Sequence, residues 1–288
     1  MQGILAATSV ERLDLSPSPS PQHTLAATLV ALALLPAAAS AQESDDDWLR
    51  ECRDRDRDRL VVFCDVRVQR LPATGAVDVN ATPNGGIHVI AWDRAEVEIH
   101  TCIQARAESE LAAEALAGEV QVMTDGGRIR SEGPENDRAA SWHASFVVYT
   151  PARSDVTIES HNGPVAVRGV TGQMDVRTEN GPLSLRDVGG DIRARTRNGP
   201  LHVELTGTSW DGAGLDAETQ NGPVQLVIPE GYSAELETGT VNGPMDSEVP
   251  LMVRFVGRRA SRIETTLGSG GAPLRVVTTN GPITLRQR

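Results

Sequence analysis

The chain has 288 residues, 27 basic and 39 acidic side chains, and a formal charge of −12. That acidic balance excludes the basic footprint of a nucleic-acid binder, and 39% hydrophobic residues are too many for a disordered tail. Long apolar runs are too few for a multi-span membrane protein. The basic residues are all Arg, for the sequence contains no Lys. Aromatics are scarce (three Phe, four Trp, two Tyr) against 27 Gly and 17 Pro. This composition points to a core too narrow for large rings.

In chain order, the first element is apolar. From Leu25 to Ala39 only Thr28 is polar, and Ala39-Ser40-Ala41 follows. A stretch of this length ended by small-x-small reads as a signal peptide over residues 1–41, with the mature chain beginning at Gln42. A membrane span would need about 20 apolar residues, so none is expected in the mature chain. Residues 42–59 read as a charged linker, because Arg53 to Arg59 alternates Arg and Asp at every step. Export permits a disulfide. Cys52 and Cys64 flank one short charged loop and form the expected pair. Cys102 lies in a strand-like run and is expected to be a buried thiol. No Cys or His cluster has zinc-ligand spacing, so neither a metal nor a cofactor is expected. Residues 108–117, ESELAAEALA, are rich in helix formers and predict a short helix over a sheet edge.

A repeat governs the rest. Asn-Gly-Pro begins at Asn162, Asn180, Asn198, Asn221, Asn242 and Asn280. The steps are 18, 18, 23, 21 and 38 residues. Asn84-Gly85-Gly86 and Asp125-Gly126-Gly127 read as degenerate earlier copies. Two residues before the Asn sits a small hydroxyl: Thr82, Ser160, Thr178, Thr196, Thr219, Thr240 or Thr278. Alternating apolar runs stand on both sides, such as Met174/Val176 before and Leu183/Leu185 after. Each unit therefore reads as strand, turn, strand, turn, with side-chain period two.

Two architectures fit such a unit: an antiparallel meander and a parallel solenoid. The proline separates them. In a two-residue Asn-Gly hairpin, the residue after Gly donates its N–H to close the turn. Here that residue is Pro, which has no N–H. A corner between two sheets needs no such bond. The expected fold is thus an all-β parallel β-solenoid over residues 60–288, with coils of about 18–21 residues. Parity places Met174, Val176, Thr178 and Asn180 on the inward face, and Arg177 and Glu179 outward. The Thr and Asn positions are expected to form an inward structural ladder, hydrogen-bonded from coil to coil. Residues 245–273 read as an irregular excursion, and Trp210 as part of a bulged turn.

The stretch PNGGIHVIAWDRAEVEIH at 83–100, the T-x-NGP blocks, and SWDGAGLDAETQNGPVQLVIPEGYSAELET at 209–238 resemble the DUF4097 family of exported bacterial proteins, often labelled adhesins. The resemblance covers about residues 60–288. It implies a β-solenoid and an extracytoplasmic location, and it carries no catalytic motif.

No nucleophile elbow, phosphate loop or calcium repeat appears. The expectation is a non-enzymatic exported cell-envelope protein that binds or scaffolds an envelope glycan or protein. The alternative is a carbohydrate-active enzyme, a lyase or glycosidase, on the same scaffold. It would need a carboxylate or basic cluster on one outer face. The candidates are Asp175, Asp187 and Asp191, or the stripe Arg177, Arg193, Arg195 and Arg197.

Overall fold

In a computed structural model, residues 60–249, 254–255 and 261–288 are described. The expected signal peptide, the charged linker and Cys52 lie outside them. The elements are β1 (Val61–Pro72), β2 (Ala76–Asn80), β3 (Ile87–Trp92), β4 (Glu96–Ala107), α1 (Glu110–Glu119), β5 (Gln121–Asp125), β6 (Arg128–Glu132) and β7 (Ser141–Pro151). There follow β8 (Asp155–Asn162), β9 (Val165–Arg168), β10 (Thr171–Asn180), β11 (Leu183–Arg186), β12 (Gly189–Asn198), β13 (Leu201–Glu204), β14 (Gly214–Asn221) and β15 (Val224–Ile228). The last are β16 (Ala234–Asn242), β17 (Met245–Ser247), β18 (Arg254–Phe255), β19 (Ser261–Leu267), β20 (Pro273–Asn280) and β21 (Ile283–Gln287).

They form two sheets. The first has the order β1-β4-β7-β3-β9-β11-β13-β15-β21-β17. The second has the order β18-β19-β16-β20-β14-β12-β10-β8-β2-β6-β5. The repeated coils give one strand to each sheet and pair in parallel, so the fold is a parallel β-solenoid. Inward residues such as Val176, Ala194 and Ala217 of the second sheet join Leu185, Val203 and Leu226 of the first in one apolar core. These positions are fully buried and hold small or medium side chains, which accounts for the scarcity of aromatics.

The corner of each coil explains the repeat. Asn180 sits opposite Asn198, and Thr178 opposite Thr196, so equivalent residues stack directly. The Gly163 N–H donates to the Asn180 carbonyl. By parallel-ladder geometry the Gly163 carbonyl should accept from residue 182. Residue 182 is Pro, so that donor is missing. The hydroxyl of Thr178 replaces it, donating to the Gly163 carbonyl at 3.3 Å. Ser160, Thr196, Thr219, Thr240 and Thr278 do the same to Gly85, Gly181, Gly199, Gly281 and Gly222, at 2.8–3.0 Å. The glycines form a column of their own. A Cβ on Gly181 would collide with the Gly163 carbonyl, and one on Gly199 with the Gly181 carbonyl.

Several expectations are corrected. The asparagines are exposed, not inward. The chain turns the corner at Asn-Gly, so strand parity ends with the buried Thr. The side chains nonetheless bond in series, with Asn180 Nδ2 donating to Asn162 Oδ1 and Asn198 Nδ2 to Asn180 Oδ1, both at 2.8 Å. Asp125-Gly126-Gly127 is not a corner. It is a hairpin turn joining the antiparallel β5 and β6, and both glycines have positive φ. The C-terminal coil of β20 and β21 is stacked out of sequence order. It lies between the coil of β14/β15 and that of β16/β17. The expected excursion holds β17 and the antiparallel strands β18 and β19.

The other end of the stack is antiparallel. Strands β1, β4 and β7 pair in series, and α1 packs on β1 and β4. The helix starts two residues later than the sequence implied, with Ser109 as N-cap. Its C-terminus is held by Arg67, which donates to the carbonyls of Val120 and Ala117 at 2.5 and 2.8 Å. On β4, Cys102 is not a lone thiol. In the β1–β4 register Cys64 faces Gln104 and Val66 faces Cys102, making the two cysteines diagonal neighbours. Their sulfurs are 3.1 Å apart, and among the described residues no cysteine is free. The expected partner of Cys64, Cys52, lies outside the described residues.

Two outcomes follow from the corner packing. Gly181→Ala is expected to cost at least about 2 kcal/mol in chemical denaturation, through overpacking at the corner. Gly118→Ala in α1 meets open space and should be neutral or slightly stabilising. Equal stability of the two variants would rule out the corner packing.

Candidate functional site

Parity and register together write the outer face of the second sheet. Side chains opposite in the parallel ladder fall into rows that cross the coils. One row reads Asp175, Arg193, Asp216, Arg275, Glu237. The next reads Glu159, Arg177, Arg195, Glu218, Val277. The sequence stripe Arg177, Arg193, Arg195 and Arg197 is thus brought together. Asp187 and Asp191 are not brought to Asp175. Asp187 occupies the turn between β11 and β12 with φ 52° and accepts from the Thr206 hydroxyl, and Asp191 is exposed near the start of β12.

The rows carry a linked set of ion pairs. Arg195 pairs with Asp216 and lies 3.9 Å from Glu218. Arg275 bridges three carboxylates: Asp216 at 2.7 Å, Glu218 at 3.1 Å and Glu237 at 3.2 Å. Arg262 continues the set to Glu237 and Glu264, both at 3.0 Å. Arg177 pairs with Asp175 at 2.7 Å on its own strand, and His161 with Glu179 at 3.1 Å. Arg193 and Arg197 are exposed and have no ion-pair partner among the described residues. Burial pushes the Asp216 carboxyl up, but hydrogen bonds from Arg195 and Arg275 outweigh it and hold the group below the usual range.

An open groove of about 500 Å³ runs over this face from Thr82 to Thr279. Its walls include Glu159, His161, Arg177, Glu179, Arg195 and Arg197. A smaller depression of about 170 Å³ continues it past Glu218 toward Arg262. The groove crosses six coils, about 24 Å at the usual strand spacing. No aromatic or aliphatic residue lines it.

A second cluster, on the outer face of the first sheet, is not foreshadowed in the sequence reading. Glu98 accepts from Arg70 at 2.5 Å and meets His100 at 2.7 Å. His100 stands edge-on to Tyr149, and Tyr149 stacks on Trp92. Arg94 covers Trp92, 4.7 Å from the ring centre. Burial raises the Glu98 carboxyl, but the His100 and Arg70 hydrogen bonds prevail and lower it. Alternation in β4 (Glu98, His100, Cys102, Gln104) is the signal that could have revealed it. Tyr149 is buried, and Trp92 is half-buried beneath Arg94. Trp210, on the 23-residue step, is buried and donates to the Gly190 carbonyl at 3.0 Å, so it is a packing residue. Among the described residues no group of His, Cys, Asp and Glu could hold a metal ion, and no helix is long and apolar enough to cross a membrane.

The Asp216 pairs set a pH dependence. A carboxyl lowered by folding contributes stability at neutral pH, and loses it as pH falls through the folded-state value. Asp216→Asn is therefore expected to be less stable than the native protein at pH 7. The difference should shrink as pH falls below about 4, the ordinary Asp value, toward the lower value at which the native carboxyl protonates. A constant difference from pH 7 to pH 2 in thermal melts would exclude the ion-pair origin.

The sequence matches the family model described as Toastrack DUF4097 over residues 78–286. No curated protein matches the chain. Among solved structures, it is similar to a candidate cell adhesion protein from Clostridium sporogenes, at 7% identity and a TM-score of 0.44, covering 78% of this chain and 100% of that one. A candidate adhesin from Bacteroides fragilis aligns at 10% identity and a TM-score of 0.39, over 78% of this chain and 97% of the other. One from Parabacteroides distasonis aligns at 8% identity and a TM-score of 0.32, over 76% and 97%.

Proposed function

Starting from a chain that belongs to the Toastrack DUF4097 family, we propose an exported, non-enzymatic protein of the cell envelope that binds an extended partner through the outer face of the second sheet. The observation that carries this reading is the groove across six coils, built on strands whose register is fixed at every corner. A solenoid presents such a face rigidly, so little ordering entropy is lost on binding. Binding is favoured over glycoside cleavage by the electrostatics. A glycosidase acid needs a carboxyl whose affinity for its proton is raised. The two described carboxyls with resolved shifts, Glu98 and Asp216, are both lowered by Arg or His partners. The proposed domain order is a signal peptide at 1–41, a charged linker at 42–59, and the binding solenoid at 60–288.

Cell fractionation with intact-mass analysis and crosslinking on whole cells tests this. The expected result is an envelope-located chain that begins at Gln42 and is crosslinked to a glycan or protein. A cytosolic chain retaining residues 1–41, or release of soluble sugar from purified envelope by the protein, would overturn it.

A further inference from the structure

The Arg stripe carries an inference about the ligand. Strand β12 places Arg193, Arg195 and Arg197 on one outer face, with Arg177 beside Arg195 on β10. Arg195 is tied to Asp216, and Arg177 to Asp175. The carboxylates on the strands beside the remaining two cations are turned to other partners. Asp175 faces Arg177, Asp216 faces Arg195 and Arg275, and Glu179 faces His161. Strands β10 and β12 thus expose a local excess of positive charge on a chain whose formal charge is −12.

The surroundings narrow the anion that would fit. Glu159, Glu179 and Glu218 share the groove with Arg197. A densely charged polyanion laid along it would be repelled by those carboxylates. A neutral polymer would leave Arg193 and Arg197 unmatched. A peptide partner usually needs an open strand edge or apolar pockets, and β12 is paired on both sides while the groove wall is polar. A polymer with widely spaced carboxylates and many hydroxyls satisfies both signs. Its carboxylates would accept from guanidinium groups, and its hydroxyls would donate to Glu159 and Glu179 and bond to Gln220. Resting on the binding reading above, we propose that the groove takes an acidic polysaccharide of the polyuronate class, anchored on Arg197 in the groove and reaching Arg193 beyond its lining on the same strand.

Isothermal titration of the exported protein tests this with oligogalacturonate, a neutral cello-oligomer, polyglutamate and polyphosphate. Oligogalacturonate is expected to bind, and more weakly as salt rises. The double variant Arg193→Gln/Arg197→Gln should weaken it about tenfold or more, the loss of charge-assisted hydrogen bonds. Arg168→Gln, an exposed and unpaired arginine on the first sheet, should leave binding unchanged. Unchanged melting temperatures would show that all variants fold. Equal binding of the cello-oligomer, insensitive to the double variant, would overturn the acidic class and leave the binding reading standing. Tighter binding of polyglutamate or polyphosphate would overturn the polysaccharide. Absence of binding to any glycan would overturn the inference, and the whole-cell crosslinks would then decide separately whether the binding reading survives.

Discussion

One missing hydrogen-bond donor organises this protein. At the corner of each repeated coil, proline removes the N–H that the glycine carbonyl of the neighbouring coil needs. A buried Thr or Ser hydroxyl of the same coil supplies the bond. The exchange works only if the two backbones come very close, and that closeness forbids a Cβ on the glycine. Thr, Gly and Pro are thus one device. Its effect is to fix the offset between coils at zero, because a slip of one residue would separate the hydroxyl from the carbonyl and push the glycine column apart. The exposed asparagines then add a continuous amide ladder along the outside of that corner.

Zero offset turns sequence into surface. Each outward position becomes part of a row, and the charge of a row depends only on which residues occupy equivalent places. Strand β12 contributes Arg at three successive outward places. Strand β14 contributes Asp216 and Glu218 in the rows of two of them. Pairing is resolved sideways, between coils, so Arg195 and Arg275 compete for the same carboxylates. With Asp175 held by Arg177 and Glu179 by His161, Arg193 and Arg197 are left without an acid. Individually, exposed pairs of this kind stabilise by at most about 1 kcal/mol. Their larger consequence is the uneven distribution of positive charge over an acidic molecule.

Much of this was legible in the sequence. Period-two patterning and the proline after Asn-Gly were enough for the parallel solenoid, because both follow from local backbone chemistry. The outward Arg stripe followed from the same parity. Parity failed at the asparagines, since alternation has meaning only while the strand continues. It also failed to separate Asp125-Gly126-Gly127 from a corner. There the residue after the glycines is Arg128, which retains its N–H, and a hairpin forms. The Cys64–Cys102 approach depended on β1 pairing with β4, an antiparallel contact that no repeat announces. The Trp92–Tyr149 contact was hidden because its members come from β3 and β7, strands far apart in the chain.

The order of the coils was hidden for a deeper reason. All corners have the same hydrogen-bonding requirements, so any coil can stack on any other. Asn221 would match Asn242 as well as Asn280. The antiparallel return of β19 against β16 occupies the outer side of that strand and leaves its inner side for β20. The last coil is therefore inserted where the sequence order would place its predecessor. This has a consequence for the charged face. Arg275, which bridges Asp216, Glu218 and Glu237, belongs to that last coil. Without it, three carboxylates from two different coils would lose a shared cation, and Asp216 would keep only Arg195. Arg195 would then be the sole ion-pair partner of Asp216 and Glu218 among the described residues. The electrostatic pattern that leaves Arg193 and Arg197 available is thus completed by the final residues of the chain, even though both arginines lie on a coil two places away in the stack.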